Sequence, residues 1–281
     1  MADRGIVAAP DAAPALLFDR VTCTFAARGK GDADGRYTAV REASLAVAPG
    51  EFVSVVGPTG CGKSTLLNVA AGLLQPSSGA IRVFGEPLAG INARAGYMFQ
   101  SDALIPWRSA LANVTAGLEF HGESRAAATP RAREWLERVG LAGFGDRYPH
   151  QLSGGMRKRV ALAQMLILDP QILLMDEPFS ALDVQTRQLM ENELLELWQA
   201  DRKSVLFITH DLEEAISLSD RVVVLSAGPG THEIGDYAID LPRPRDVAEI
   251  RMTPRFVELY QAIWGTMKAE VQKGYAQSKR N

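Results

Sequence analysis

Residues Gly57–Thr65 read G-P-T-G-C-G-K-S-T. They fit the pattern G-x-x-x-x-G-K-[ST] in full, and the chemistry of that pattern is phosphate capture. A glycine-rich turn at a helix start exposes backbone N–H groups, and the helix dipole adds positive potential there. Gly57 and Gly60 permit conformations that side chains would forbid, and Gly62 lets the backbone come close to a phosphate. Lys63 is placed to reach the β- and γ-phosphates of a nucleotide, and Ser64 to offer its hydroxyl to Mg²⁺. Pro58, Thr59, Cys61 and Thr65 complete the loop. The apolar run Phe52–Val56 before it is a buried strand by pattern. The run Leu66–Leu74 after it suits a helix, which Pro76–Gly79 is expected to end.

A phosphate-bound metal needs a carboxylate. Ile172–Asp176 (I-L-L-M-D) supplies one at the end of a four-residue apolar run. Glu177 follows directly, and a second carboxylate there can polarise an attacking water. Gln100, after the apolar segment Tyr97–Phe99, has an amide that can contact Mg²⁺ or its water. His210 follows the strand-like run Val205–Thr209. Open α/β sheets bind ligands at that end of their strands. Leu152–Met156 (L-S-G-G-M) is a second glycine-rich helix start, with Ser153, Gly154 and Gly155, and so a second anion site.

The elements that must position these residues alternate. Ala15–Ala27 and Leu45–Val56 are β-like, with the polar loop Arg28–Arg36 between them, and Ala80–Phe84 is a further short strand. Ala110–Glu119, Pro130–Val139 and a helix from Ser153 to about Leu168 form a helical insert. Then come Ile172–Met175, helix Leu182–Ala200, Val205–Thr209, helix Leu212–Leu218, Val222–Leu225 and helix Arg255–Lys273. Phe256, Tyr260, Ile263 and Met267 form one stripe of the last helix. This alternation predicts an α/β core with a mostly parallel sheet. At 281 residues the chain has room for one large domain or two.

A net charge of -3 and the lack of a basic run give no electrostatic case for a nucleic-acid partner. Two cysteines make no disulfide framework. No apolar stretch is long enough to span a bilayer, so the expectation is a soluble chain that meets a membrane only through a partner. Met1–Ala15 lacks the pattern of a signal peptide and is expected to be a flexible extension.

In order and spacing these segments resemble the nucleotide-binding subunit of an ABC transporter, from about Leu16 to Leu241. Gly57–Thr65 resembles Walker A, Gln100 the Q-loop, Leu152–Met156 the signature, Ile172–Asp176 Walker B, Ser180–Asp183 the D-loop and His210 the switch histidine. The resemblance implies a P-loop NTPase core, an N-terminal antiparallel β subdomain and an α-helical subdomain. Residues 1–15 would then be an extension, 16–245 the ATPase domain with its helical part at about 101–165, and 246–281 a C-terminal helical extension. It implies ATP and Mg²⁺, the metal held by Ser64, Gln100 and Asp176. It also implies a head-to-tail homodimer, in which Ser153, Gly154 and Gly155 of one copy cap ATP on the other and Asp183 joins the nucleotide site. Glu177 would polarise the water, with Gln100 and His210 completing the catalytic set. Phe25 sits where an aromatic stacks on adenine; Tyr37 is a weaker candidate. The signature departs from the family pattern at Met156, where glutamine is usual, yet Ser153 and Gly155 are intact and activity is expected to survive.

Tyr97–Asn113, Leu168–Arg187, Asp211–Gly230 and Leu241–Arg245 are similar to the nitrate, sulfonate and taurine importer ATPases. That similarity implies a separate transmembrane permease, a periplasmic substrate-binding protein and a place on the cytoplasmic face of a bacterial inner membrane. Trp107 and Arg108 lie where such subunits meet the permease, although internal packing of Trp107 is an equal reading. Among the alternatives, an exporter is disfavoured by these segments. A non-hydrolysing regulator would lack Lys63 or Glu177. A DNA-repair ATPase would carry coiled coils or zinc modules between Thr65 and Leu152, where no cysteine or long heptad run occurs.

Overall fold

The structure is a computed structural model that describes residues 13–26 and 35–278, without the side chains of 275–278. Residues 1–12 of the expected extension and 28–34 of the expected polar loop lie outside the described residues.

Five runs build the centre, four of them buried and rich in Val, Ile, Leu and Phe and the fifth, Ala95–Met98, half buried. They are Phe52–Val56 (β4), Ala95–Met98 (β7), Ile172–Asp176 (β8), Ser204–Ile208 (β9) and Arg221–Leu225 (β10). With Glu233–Ala238 (β11) they form a sheet of order β11-β10-β4-β9-β8-β7. All pairings are parallel except that of the edge strand β11. Strands buried on both faces carry continuous apolar sequence, which is how β4 and β9 read. A second, antiparallel sheet joins Leu16–Ala26 (β1), Arg36–Ala43 (β2), Ala46–Val47 (β3), Ser78–Val83 (β5) and Glu86–Pro87 (β6), in the order β2-β1-β5-β6 with β3 on β1. Strands β2 and β11 carry no clear apolar pattern: half of β2 is exposed and polar, and no residue of β11 is fully buried.

Helix Lys63–Ala70 (α1) stops well before Pro76–Gly79, which corrects the sequence expectation. Gly72 adopts φ 71°, and a Cβ there would lie 1.8 Å from the Gly90 carbonyl oxygen. The amides of Leu73 and Leu74 both turn back to the Asn68 carbonyl, at 2.9 and 3.2 Å. Helices Ala110–Phe120 (α2), Arg125–Arg138 (α3) and Gly154–Leu166 (α4) share their own apolar core, around Val114, Leu118, Leu136 and Val160. Capped by Ser124, α3 starts five residues earlier than the periodicity indicates, and Pro130 is accommodated inside the helix.

Val184–Ala200 (α5), Leu212–Leu218 (α6), Val247–Ile250 (α7) and Pro254–Ser278 (α8) cover the rest of the sheet. The segment Leu241–Arg245 straps them together. Arg243 pairs with Asp220 at 2.8 Å and lies 4.4 Å over the Trp198 ring. Arg245 is buried and donates to five backbone carbonyls, those of Ile216, Ser217, Ser219, Ile239 and Leu241. It thereby satisfies the open C-terminal carbonyls of α6. Phe256, Leu259, Ile263 and Met267 of α8 pack on α6 and β10, and Tyr260 is partly buried beside them. The far end of α8 reaches the phosphate loop, where a Cβ on Gly274 would sit 3.2 Å from the Pro58 ring.

Removing the Arg245 guanidinium leaves five carbonyls without a donor. Arg245→Met therefore lowers unfolding free energy by about 2–4 kcal/mol, read from urea denaturation. An unchanged midpoint would show that the strap carries no stability.

Two carboxyls, Glu191 and Glu214, are buried between α5, α6 and the end of β9. Burial pushes them up to about 7 and about 8. In the unfolded chain each loses its proton near 4.5, so stability falls as pH rises from there towards 8 and is level beyond. Glu214→Gln removes one such titration. Its melting temperature relative to the native chain rises between about pH 5 and 8. Parallel curves for the two proteins would contradict this.

Candidate functional site

Because the central strands run parallel, their C-terminal ends open on one edge of the sheet. A cavity of about 510 Å³ lies there. Thr59, Gly60 and Gly62–Thr65 form one wall; Gln100, Glu177 and His210 face them.

The phosphate loop follows β4. Gly60 has φ 77° and Gly62 φ 111°, left-handed conformations in which glycine carries no Cβ penalty. Gly62 is also the N-cap of α1, and no side chain caps that helix. Its first-turn N–H groups are left for a ligand. Lys63 is almost wholly buried, and its ammonium donates to the carbonyls of Gly57 at 2.9 Å and Pro58 at 3.2 Å. Gly57, Pro58 and Cys61 shape the loop without lining the cavity. Burial pushes the Cys61 thiol up, and the Cys61 carbonyl accepts from Thr231 Oγ1.

Asp176 ends β8, and its Oδ1 accepts from Ser64 Oγ at 3.0 Å. Burial lifts its carboxyl above the usual range; the Ser64 hydrogen bond opposes this, Glu177 adds to it and Lys63 opposes it. Glu177 has φ 43°, uncommon for a residue with a side chain. Its N–H donates to the Ile208 carbonyl at 2.9 Å, and its carbonyl accepts from Ser180 Oγ at 2.9 Å. Glu177 Oε2 accepts from Gln100 Nε2 at 3.4 Å and lies 3.0 Å from His210 Nδ1. Side chains from the ends of β7, β8 and β9 thus meet at one oxygen.

Ser64 and Asp176 present a hydroxyl and a carboxylate in contact, a donor set that fits a hard cation such as Mg²⁺. Among the described residues no group of three or more His, Cys, Asp or Glu could hold a metal alone. The other ligands of such an ion would come from the Gln100 amide, phosphate and water, as Mg²⁺ favours.

Other predicted site residues lie outside this cavity. Ser153 caps α4, accepting from the Met156 amide at 3.2 Å. Asp183 caps α5, accepting from the Thr186 amide at 3.0 Å. The two helix starts are packed together, since a Cβ on Gly155 would come within 2.6 Å of Thr186 Cγ2 and one on Gly154 within 3.7 Å of Leu182. Phe25 and Tyr37 pair across β1 and β2 and are half-exposed. Further along β2, Ala39 and Val40 abut Gly62. Trp107 is 78% exposed, so it does not pack inside this chain. The turn beneath it is held by the Asn113 amide, which donates to the carbonyls of Ile105, Arg108 and Ser109.

The sequence reading missed a clamp on the Gln100 segment. Lys158 of α4 is buried; its ammonium donates to the Gln100 carbonyl at 2.6 Å and pairs with Asp102 at 3.2 Å. Arg157 holds the other Asp102 oxygen at 2.7 Å. The only hint in the sequence was a basic triplet, Arg157–Arg159, inside an otherwise apolar helix.

Fold and site together define a P-loop ATPase. A family profile described as ABC transporter matches residues 40–180. The chain is 48% identical over 239 residues to an uncharacterised ABC transporter ATP-binding protein of Methanocaldococcus jannaschii, covering 85% of this chain and 87% of that one. It is 41% identical over 262 residues to a taurine import ATP-binding protein of Burkholderia pseudomallei, covering 92% and 98%. Among solved structures it matches a dimeric ATP-binding cassette in a post-hydrolysis state bound to ADP and Pi. There the TM-score is 0.70 and the identity 31%, over 81% of this chain and 100% of that one. The chain belongs to the ABC transporter family, and it is an ATP-hydrolysing member.

Lys63→Ala removes the cation from the loop. The nucleotide dissociation constant then rises by roughly 100-fold, measured by titration of a fluorescent ATP analogue. Native affinity would refute the phosphate-loop assignment.

Proposed function

We propose that this chain is the nucleotide-binding subunit of an importer for a small solute such as nitrate, a sulfonate or taurine. It would work with a separate transmembrane permease and, through it, a periplasmic substrate-binding protein, on the cytoplasmic face of a bacterial inner membrane. The observation that carries the ATPase mechanism is the meeting of Gln100, Glu177 and His210 opposite Lys63 and Ser64.

In this reading the loop amides and Lys63 hold the β- and γ-phosphates of ATP. Glu177 Oε2 accepts the proton of the attacking water, and Gln100 and His210 orient that carboxylate. His210 is then at hand as charge builds on the γ-phosphate oxygens. When bound by Ser64, Asp176 and Gln100, Mg²⁺ supplies neutralisation of phosphate charge.

Ser153, Gly154, Gly155 and Asp183 stand outside their own chain's cavity, which favours their use across a head-to-tail dimer. There Ser153 and the glycine amides would complete the site of the second copy. Phe25, seconded by Tyr37, would stack on adenine. The helices α2–α4 would be the part that moves, within boundaries of about 101–165, and 246–281 an appended helical extension. No helix among the described residues is long and apolar enough to cross a membrane; in this reading the solute path belongs to a partner. The importer reading is supported by the taurine importer relatives, at 41% identity in Burkholderia pseudomallei and 47% in Yersinia pestis, and by the exposed Trp107.

Glu177→Gln lowers ATP turnover by roughly 100-fold or more while ATP still binds, read by phosphate release and equilibrium titration. An unchanged rate would remove Glu177 from its role. For the cargo, ATPase activity is measured with the permease and binding protein in liposomes, against sulfonates, taurine and nitrate. Stimulation by one of them identifies it; basal hydrolysis unmoved by all of them keeps the ATPase and leaves the nitrate, sulfonate and taurine assignment without support.

A further inference from the structure

His210 has an exposed imidazole, and its one side-chain partner among the described residues is Glu177. Packing around the ring does not set its direction. The backbone of the turn between β9 and α6 must do so, and that turn is tied on both sides of His210.

Thr209 is buried and continues the sheet, its N–H donating to the Val55 carbonyl at 3.2 Å. Its hydroxyl donates to Glu214 Oε2 and accepts from the Asp211 amide at 3.0 Å. Asp211 in turn accepts from the amides of Glu213 and Glu214, at 2.9 and 3.2 Å. Its other oxygen takes Arg187 Nη1 at 3.2 Å, while Arg187 Nη2 donates to the Leu182 carbonyl at 3.1 Å. These bonds pass over His210 and close the turn.

An aspartate cap is ordinary; the buried glutamate is not. Among the described residues Glu214 has no ion-pair partner, and its Oε1 has no hydrogen-bond partner. Burying a carboxyl in this way costs stability. An apolar residue would avoid that cost but could not accept the Thr209 hydrogen bond. A hydroxyl has one proton; with it directed at Glu214, the oxygen lone pairs are left to face the Asp211 amide.

We propose that Thr209 and Glu214 are positioning residues for His210, their buried hydrogen bond fixing the turn so that the imidazole meets Glu177 and the γ-phosphate. This rests on the catalytic reading of Glu177 and His210.

Valine matches threonine in shape and lacks the hydroxyl, so Thr209→Val breaks the bond with little change of volume. ATP hydrolysis is measured on Thr209→Val, Thr209→Ser, His210→Ala and the Thr209→Val/His210→Ala double variant. Thr209→Val lowers kcat by roughly tenfold with KM for ATP within about twofold. Thr209→Ser, which keeps the hydroxyl, stays within about twofold of the native kcat. In the His210→Ala background Thr209→Val costs nothing further, because its effect runs through the imidazole. Glu214→Gln, which keeps an acceptor, and Glu214→Leu, which does not, repeat the comparison from the other side of the bond. They serve where Thr209→Val melts too low to assay.

A native kcat in Thr209→Val and Glu214→Leu, with His210→Ala slow, overturns this proposal alone. So does an equal Thr209→Val loss with and without His210. A native rate in His210→Ala itself overturns the catalytic reading and this one with it.

Discussion

The parallel register of the central sheet is the constraint on which the site depends. Met98 is level with Met175, Asp176 with Ile208, and Ile208 with Val55. Four strands therefore end at nearly the same height and on the same edge. One becomes the phosphate loop, one carries Gln100, one Asp176 and Glu177, and one His210. A slip of one residue in any pair would turn that strand's side chains to the other face and carry its functional residue out of reach. Strands β4, β8 and β9 are buried along almost their whole length, so the register is set inside the core.

Around that edge the structure tolerates local features that a stability optimum would avoid. Glu177 has a left-handed backbone, Lys63 and Lys158 are buried ammoniums, and Glu214 is a buried carboxyl. Each sits within one or two contacts of the cavity. Each is also held from elsewhere: Glu177 by the Ile208 carbonyl, Lys158 by Asp102 and the Gln100 carbonyl. Strain and buried charge persist where the surroundings over-determine a conformation that function needs. The Lys158 clamp has a mechanical consequence as well. It ties the backbone at Gln100 to the helix that Ser153 caps.

Segments far from the cavity turn out to support it. In the sequence Leu241–Arg245 stands out only by its resemblance to importer ATPases. In the fold its two arginines secure α6, one through Asp220 and Trp198 and the other through five carbonyls. Helix α6 is the one whose first turn closes behind His210. Helix α8 packs on α6 and then reaches Pro58, so the same element braces both sides of the site.

The phosphate loop, the Asp176–Glu177 pair and the α/β alternation were legible in the sequence because each depends on local rules. Glycine conformations, apolar strand runs and helix caps are properties of a few adjacent residues. Elements whose signal is weak locally, β2 and β11, were missed, and α1 was drawn too long because Gly72 is required by a contact with Gly90, eighteen positions away. What the sequence determined by itself was the inventory of chemistry: a cation, a hydroxyl, two carboxylates, an amide and an imidazole, each next to a strand end or helix start. Only the tertiary structure decided that Gln100, Glu177 and His210 share one oxygen, that Ser153 and Asp183 stand apart from it, and that Thr209, Glu214 and Lys158 hold the rest in place. Those contacts join residues far apart in the chain, and they form only when parallel strands bring distant segments to one edge.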